Sequence, residues 1–313
     1  MPLIPIPASK EDWHALRQRH VGASEISILF GCQPAYAAGI RGLWEVKAGR
    51  APRQELSSER AEWGLRLEDA IAAAAAEREG WSVLPGQYAS KDGLGATLDR
   101  IIGAPGPNDD GAEGPGVLEL KAVDWMIHRA QWGDEPPAHI LLQLQAQLAA
   151  TGFTWGAVAA LVGGNDLHVY RYTARPRLQA DMLARVATFW RSIAEGNPPR
   201  PDGSDATYRA LIAVHPVEDE EPADLTGDNE APQLAADFLR LSAEIKARDR
   251  QRDEIRNRLL EKLGVHRRGE AQGFRITQAV TPEKPDAEIT ADMVGKIIKG
   301  RAESRRIIIK ELA

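Results

Sequence analysis

Gly116-Val117-Leu118-Glu119-Leu120-Lys121-Ala122 is the stretch on which the reading of this chain turns. In a strand, alternate side chains share a face, so Val117, Glu119 and Lys121 point one way and Leu118, Leu120 and Ala122 the other. A carboxylate and an ammonium then stand side by side on a strand anchored from behind by an apolar row. Taken alone, a Glu-X-Lys triplet is usually the solvated face of an amphipathic strand, because short patterns match by accident.

Two further carboxylates give the triplet company. Upstream lies Gly95-Ala96-Thr97-Leu98-Asp99-Arg100-Ile101-Ile102, an apolar, strand-like run in which an aspartate is out of place. It joins the Glu119 strand through Gly103 to Gly111, a glycine- and proline-rich loop, so neighbouring strands put Asp99 and Glu119 on one side of a sheet. Earlier still, residues 58–79 read as a helix. Trp63, Leu67 and Ile71 form its expected buried stripe, and Gly64, Glu68 and Ala72 an adjacent row. A glycine inside a helix costs about 1 kcal/mol relative to alanine, so close approach of another group is the expected reason for Gly64. Three carboxylates suit Mg²⁺ or Mn²⁺, which prefer hard oxygen ligands, and a nearby lysine orients a water or offsets phosphate charge.

Composition narrows the alternatives. The chain has 313 residues, 43% hydrophobic and 27% charged, as in a soluble globular protein. No apolar run approaches the ~18–20 residues of a membrane span, and Met1 to Pro5 does not read as a signal peptide. One cysteine, Cys32, excludes a disulfide framework and a four-cysteine cluster, which makes a reducing cytoplasm the expected compartment. The seven histidines offer no pair at metal-ligand spacing on one element, and there is no Gly-x-x-x-x-Gly-Lys phosphate loop. Net charge is −6, but Glu218, Asp219, Glu220, Glu221, Asp224, Asp228 and Glu230 supply seven negative charges in one short stretch. The remainder is close to neutral, so the net acidity does not argue against a DNA partner.

That acidic stretch, preceded by the proline-rich Asn197 to Gly203, divides the chain into a domain at residues 1–212, a linker at 213–230 and a module at 231–313. In the first domain helices are expected at 10–19, 23–31, 58–79, 138–151 and 176–195. Strands are expected near 81–88, 95–102, 116–122, 154–162 and 166–172, the last two joined by the turn Gly163-Gly164-Asn165-Asp166. This alternation is an α/β (α+β) pattern, a mixed central sheet flanked by helices. In the module, Pro232 opens a helix to Leu263, Gly264 stops it, and strands follow at Phe274–Val280 and Arg306–Leu312. Its apolar spacing of Leu234, Phe238, Leu241, Ile245, Ile255 and Leu259 is interrupted by Arg248 and Arg252, which argues against a sustained coiled coil. From Phe238 to Arg268 there are ten Lys/Arg against five Asp/Glu. Lys296, Lys299, Arg301, Arg305 and Arg306 form a second basic cluster. A solvated helical face is the simplest account, DNA backbone or a partner the alternative.

The order Glu68, Asp99, Glu119-Leu120-Lys121 resembles the PD-(D/E)XK nuclease core, and more narrowly the YqaJ-like viral recombinase and lambda-type phage exonuclease family. Trp13-His14-Ala15-Leu16-Arg17 with Val21-Gly22-Ala23-Ser24-Glu25 is similar to that family's opening signature. Trp63-Gly64 with Glu68 resembles its helix motif, and Leu142-Gln143-Leu144-Gln145 with Thr151-Gly152 its glutamine helix. The resemblance spans about residues 10–195, departing from the common Pro-Asp pattern at Leu98-Asp99, where Leu98 supplies no ligand atom.

The resemblance implies a set of roles. Asp99, Glu119 and the Leu120 carbonyl would bind Mg²⁺ (or Mn²⁺), with Glu68 a further carboxylate and Lys121 positioning the nucleophilic water. Arg17, Ser24, Thr97, Gln143 and Gln145 would hold DNA and its 5′-terminal phosphate. The implied activity is digestion of one strand of linear double-stranded DNA from a 5′ end, leaving a 3′ overhang for a single-strand annealing partner, and the family permits a ring-shaped homo-oligomer. The rivals are a PD-(D/E)XK endonuclease or repair nuclease, and a catalytically inactive DNA-binding recombination adaptor. Trp125, Trp132 and Trp155 are either base-stacking platforms or core.

Overall fold

The computed structural model describes residues 3–53, 58–107, 109, 111–215, 221, 223–283, 287–288, 297–298 and 304–311. The chain forms two compact units, Met1–Glu218 and Asp219–Ala313.

The first unit begins with α1 (Lys10–Gln18), capped by Ser9, whose hydroxyl accepts the Asp12 N–H. After it come β1 (Val21–Gly22), a 3₁₀ turn at Ala23–Glu25, α2 (Ile26–Leu29) and α3 (Ile40–Lys47). The long helix α4 (Glu59–Glu79) starts at the Ser58 cap and stops at Gly80, which takes the left-handed conformation at φ 71°. Four short strands follow: β2 (Val83–Pro85), β3 (Tyr88–Lys91), β4 (Leu94–Thr97) and β5 (Arg100–Ile102). Then come β6 (Gly116–Val123), α5 (Trp125–Gln131), α6 (Ala138–Thr151), β7 (Trp155–Val162), β8 (Asp166–Thr173), α7 (Pro176–Ala194) and α8 (Asp205–Val214).

A five-stranded sheet in the order β2-β5-β6-β7-β8 is the frame. Only β6 and β7 run parallel, and α6 makes the crossover that parallel neighbours require. A second sheet, β1-β4-β3, lies beside it. The fold is thus a mixed sheet flanked by helices, as the alternating pattern implies. β6 separates two apolar clusters. Val117 packs with Val158 and with Leu144 and Leu148 of α6, whereas Leu118 and Leu120 pack with Ile71, Trp81 and Trp155.

The expected strands 81–88 and 95–102 are each broken in two, for one reason. At Gly86-Gln87 and again at Leu98-Asp99 the chain leaves one sheet for the other, and the two breaks cross: the Leu98 N–H donates to Gln87 O at 2.9 Å. A Cβ on Gly86 would lie 1.9 Å from the Leu98 carbonyl oxygen, so only glycine permits the crossing. Asp99 therefore stands in a gap between strands rather than within one.

Other expectations shift as well. The expected helix 23–31 is a 3₁₀ turn followed by one turn of α-helix, and α3, α5 and α8 come in addition to those expected. Trp63 is exposed, and the buried face of α4 holds Ile71, Ala72 and Ala75 instead. Nothing lies within 4 Å of a Cβ built on Gly64, so no protein group crowds that glycine. The proline-rich segment belongs to the first unit. Asp202 accepts from the Thr207 hydroxyl at 3.0 Å, and Thr207 accepts the Gly42 N–H at 3.1 Å, which fixes α8 on α3.

The second unit has α9 (Ala231–Leu263), ended by Gly264, then β9 (Arg268–Ala271), β10 (Phe274–Thr281), β11 (Ala287–Glu288), β12 (Ile297–Ile298) and β13 (Ser304–Glu311). Strands β13-β10-β9 form an antiparallel sheet, one strand more than expected. Of the acidic stretch, Glu218, Asp219 and Glu220 lie outside the described residues, as do Asn108 and Asp110 of the Gly103–Gly111 loop and Lys296, Lys299 and Arg301 of the basic cluster. Among the described residues no helix is long and apolar enough to cross a membrane.

Candidate active site

Glu119 is wholly buried at the centre of the sheet, and its carboxylate is held from three directions. Gln143 donates to Oε1 and Gln147 to Oε2, each at 2.6 Å, and the Lys121 ammonium also donates to Oε1. The two glutamines are one helical turn apart on α6, so they reach the strand together. Asp99 comes in from the sheet crossing, where its Oδ2 accepts the Leu120 N–H at 2.8 Å. Glu68 extends from α4, with Oε2 3.9 Å from an Arg100 guanidinium nitrogen. Arg100 also pairs with Asp69.

Electrostatics show these groups sharing one field. Burial, and after it the Glu119 charge, pushes the Asp99 carboxyl up to about 8. Glu68 is raised by burial, Arg100 opposes this, and Glu119 adds to it. For Lys121, burial alone would lower the ammonium, but Glu119 and Asp99 outweigh it and the group is held well above its usual range. Lys121 is accordingly a fixed cation: it can orient a water or screen a phosphate but is poorly suited to take a proton.

A cavity of about 500 Å³ opens beside this cluster; Lys121 is the cluster's contribution to its lining, and Gln143, Arg17, Ser24, His139 and Arg53 are among the other residues that line it. Arg17 stacks over Trp13 at 4.7 Å and faces Glu25 at 3.6 Å. Glu25 Oε2 accepts the Gly22 N–H at 2.7 Å and pairs with Lys47 at 2.8 Å, while Arg53 stands 3.9 Å from Oε1. Three cations thus surround one carboxylate. Burial lowers Arg17 and Lys47 despite the counter-pull of Glu25, whereas for Glu25 the cations Lys47 and Arg17 overcome burial and hold the carboxyl low. An excess of positive charge on a half-buried wall is suited to an anion.

Of the residues singled out from sequence, Glu68, Asp99, Glu119 and Lys121 come together, and Arg17, Ser24 and Gln143 line the cavity beside them. Gln145 does not join them. It lies two positions from Gln143 on a helix of 3.6 residues per turn and so faces away. There it donates to Thr173 O at 2.8 Å and accepts the Arg175 N–H at 2.8 Å, fixing the chain where β8 gives way to α7. Thr97 meets the cluster only through its carbonyl, 3.4 Å from Gln147 Nε2. Trp132 and Trp155 are core, whereas Trp125 is exposed.

Gln147, Lys47 and Arg53 escaped the sequence reading. Gln147 had a signal, a second glutamine one turn beyond Gln143 on an otherwise apolar helix. Lys47 and Arg53 had none, since they reach the site from α3 and the segment after it.

Among the described residues no three His, Cys, Asp or Glu side chains form a ready-made metal cage. The donor chemistry nevertheless fits a hard divalent cation. The Glu119 charge raises the proton affinity of both Glu68 and Asp99, Glu68 adds to the rise at Asp99, and Gln147 Oε1 is buried beside them with no hydrogen-bond partner. Mutual repulsion among carboxylates is what a bound cation relieves.

A family model described as the YqaJ-like viral recombinase domain matches residues 12–154. An uncharacterized protein YqaJ of Bacillus subtilis (strain 168) is 24% identical over 319 aligned residues, covering 97% of this chain and 95% of that one. Among solved structures, an alkaline exonuclease of Laribacter hongkongensis is similar over 60% of this chain and 94% of its own, at 18% identity and TM-score 0.47. A phage-related exonuclease of Haemophilus somnus 129PT covers 61% of this chain and 90% of its own, at 8% identity and TM-score 0.36.

Proposed function

We propose that this protein, whose residues 12–154 match a model of the YqaJ-like viral recombinase domain, is a divalent-metal-dependent exonuclease acting on the ends of linear double-stranded DNA. The observation that carries the reading is the meeting of Glu68, Asp99, Glu119 and Lys121 in one cluster, whose lysine lines a cavity that Arg17 and Ser24 also line. A carboxylate cluster whose lysine reaches into a cavity, with excess cationic charge on the cavity's wall, suits a phosphodiester that carries a terminal phosphate.

In this reading Asp99, Glu119, the Leu120 carbonyl and Glu68 hold Mg²⁺ or Mn²⁺. The ion, when bound, would polarise the scissile phosphoryl group and stabilise the departing oxyanion. Gln143 and Gln147 keep Glu119 oriented by donating to its two oxygens. Lys121, fixed as an ammonium, holds the attacking water in line and screens the incoming phosphate. Arg17, Ser24 and Gln143 grip a 5′-terminal phosphate, so that strand digestion runs from the 5′ end and leaves a 3′ overhang. A single-strand annealing protein is the proposed consumer of that overhang, and the proposed compartment is the cytoplasm.

Digestion of linear duplex labelled separately at each end, with and without Mg²⁺, tests the proposal. Loss of the 5′ label first, only with metal, and with covalently closed circles left intact, is the expected result. Cleavage of the closed circle would make the protein an endonuclease, and binding without cleavage would make it an adaptor.

A further inference from the structure

Helix α9 runs for 33 residues, and Leu263 is its one buried side chain. Most of its large apolar residues nevertheless keep to one stripe, with Leu239 and Leu260 beside it. Leu234, Phe238, Leu241 and Ile245 follow alternating steps of four and three, the same rhythm passes through Arg248 and Arg252, and it resumes at Ile255 and Leu259. Phe238 is 72% exposed and Ile245 63%, and Leu234, Leu241 and Ile255 are exposed as well. An exposed apolar stripe of this length, broken only at Arg248 and Arg252, marks a contact surface.

We propose that α9 pairs with α9 of a second copy of this chain, antiparallel, in the register that sets Phe238 against Ile255 and Leu234 against Leu259. A parallel pair is disfavoured because each stripe position would meet its own counterpart, Arg248 against Arg248 and Arg252 against Arg252. The antiparallel register removes both collisions. Arg248 then meets Ile245 and Arg252 meets Leu241, so the arginine stems lie on aliphatic surface while the guanidinium groups reach water.

The flanks complement each other in the same sense. The N-terminal half of the helix carries Asp237 and Glu244 beside the stripe, and the C-terminal half carries Arg258. Turning one helix around brings Asp237 opposite the second copy's Arg258, twice by symmetry, and Glu244 beside the second copy's Arg248. Within one chain Asp237 and Glu244 pair locally with Arg240, at 3.1 and 2.8 Å. Six apolar side chains per copy, at roughly 100 Å² each, bury about 1,200 Å² in total, the lower end for a specific interface. The pairing uses residues of α9 alone and stands whether or not the proposed nuclease activity holds.

Sedimentation equilibrium of the full chain tests it. The expected mass is that of a dimer, halved by Ile245→Asp while far-UV circular dichroism retains the helical signal. Asp237→Arg and Arg258→Asp should each weaken association about tenfold, because each sets like charges face to face at two symmetric places. The double variant should recover most of that loss. A monomer at every concentration, with the stripe covered by the rest of the same chain, overturns the proposal. So does an oligomer that Ile245→Asp leaves intact, and failure of the double variant to recover overturns the antiparallel register.

Discussion

Gln147 donates to Glu119 across 2.6 Å with both side chains fully buried, an amide committed to one carboxylate oxygen inside the sheet–helix interface. Truncating it leaves that oxygen without a donor where water does not reach. Gln147→Ala should reduce activity or Mg²⁺ affinity by about 10–100-fold. It should also cost roughly 1–3 kcal/mol of stability. A rate titration against Mg²⁺ and a urea melt separate the two effects.

Lys121→Ala and Asp99→Ala should each abolish Mg²⁺-dependent degradation while DNA binding stays measurable by gel shift. Undiminished digestion by either variant would remove that residue from the role given to it.

Asp99 makes the metal-free protein sensitive to pH. Its folded-state value of about 8 lies above the ordinary 3.8. The contribution of Asp99 to stability is therefore fully present below about pH 4 and is lost as pH rises towards 8. Asp99→Asn keeps an acceptor for the Leu120 N–H and removes the ionisation. It should raise the Tm of metal-free protein by several degrees at pH 9 and by almost nothing at pH 4, as read by calorimetry. An advantage that grows as pH falls would contradict the sign.

Two of the cations around Glu25 should separate by phenotype. Lys47 is buried, and its ammonium donates to Arg17 O at 2.9 Å, His20 O at 2.7 Å and Glu25 at 2.8 Å, which occupies all three protons. Lys47→Met strands these acceptors and should cost about 3 kcal/mol of stability. Arg17 faces the cavity. Arg17→Ala should leave the melting curve nearly unchanged and slow digestion mainly of 5′-phosphorylated ends. Equal slowing on 5′-hydroxyl ends would count against a phosphate pocket.

Gly64 makes a cheap control. Because a Cβ there meets nothing, Gly64→Ala should stabilise the protein by about 0.5–1 kcal/mol through helix propensity. If activity falls at the same time, the open space beside Glu68 is where substrate passes.

These expectations differ in how far the amino-acid order alone would have supported them. The alternation across β6 was legible, because apolar and charged positions of period two have one reading. Asp99 was legible as an anomaly within an apolar run, but its position between two sheets was not. That position depends on Gly86 and Leu98 crossing, a contact between segments with no common periodicity. Gln145 was assigned in place of Gln147 because neighbours in sequence are not neighbours on a helix face. Trp63 was expected to be buried from spacing alone. Spacing shows that a stripe exists but not where along the helix burial begins, and here the first turns of α4 run clear of the core. The cations Lys47 and Arg53 reach Glu25 only through tertiary folding.

The partition made by β6, with Val117 in one apolar cluster and Leu118 and Leu120 in the other, bears on refolding. If the strand were threaded one residue out of step, Glu119 and Lys121 would turn inward among Trp81 and Trp155, and leucines would line the cavity. No mis-threaded form can then retain partial catalysis, so after dilution from denaturant the recovered turnover should count correctly paired molecules one for one.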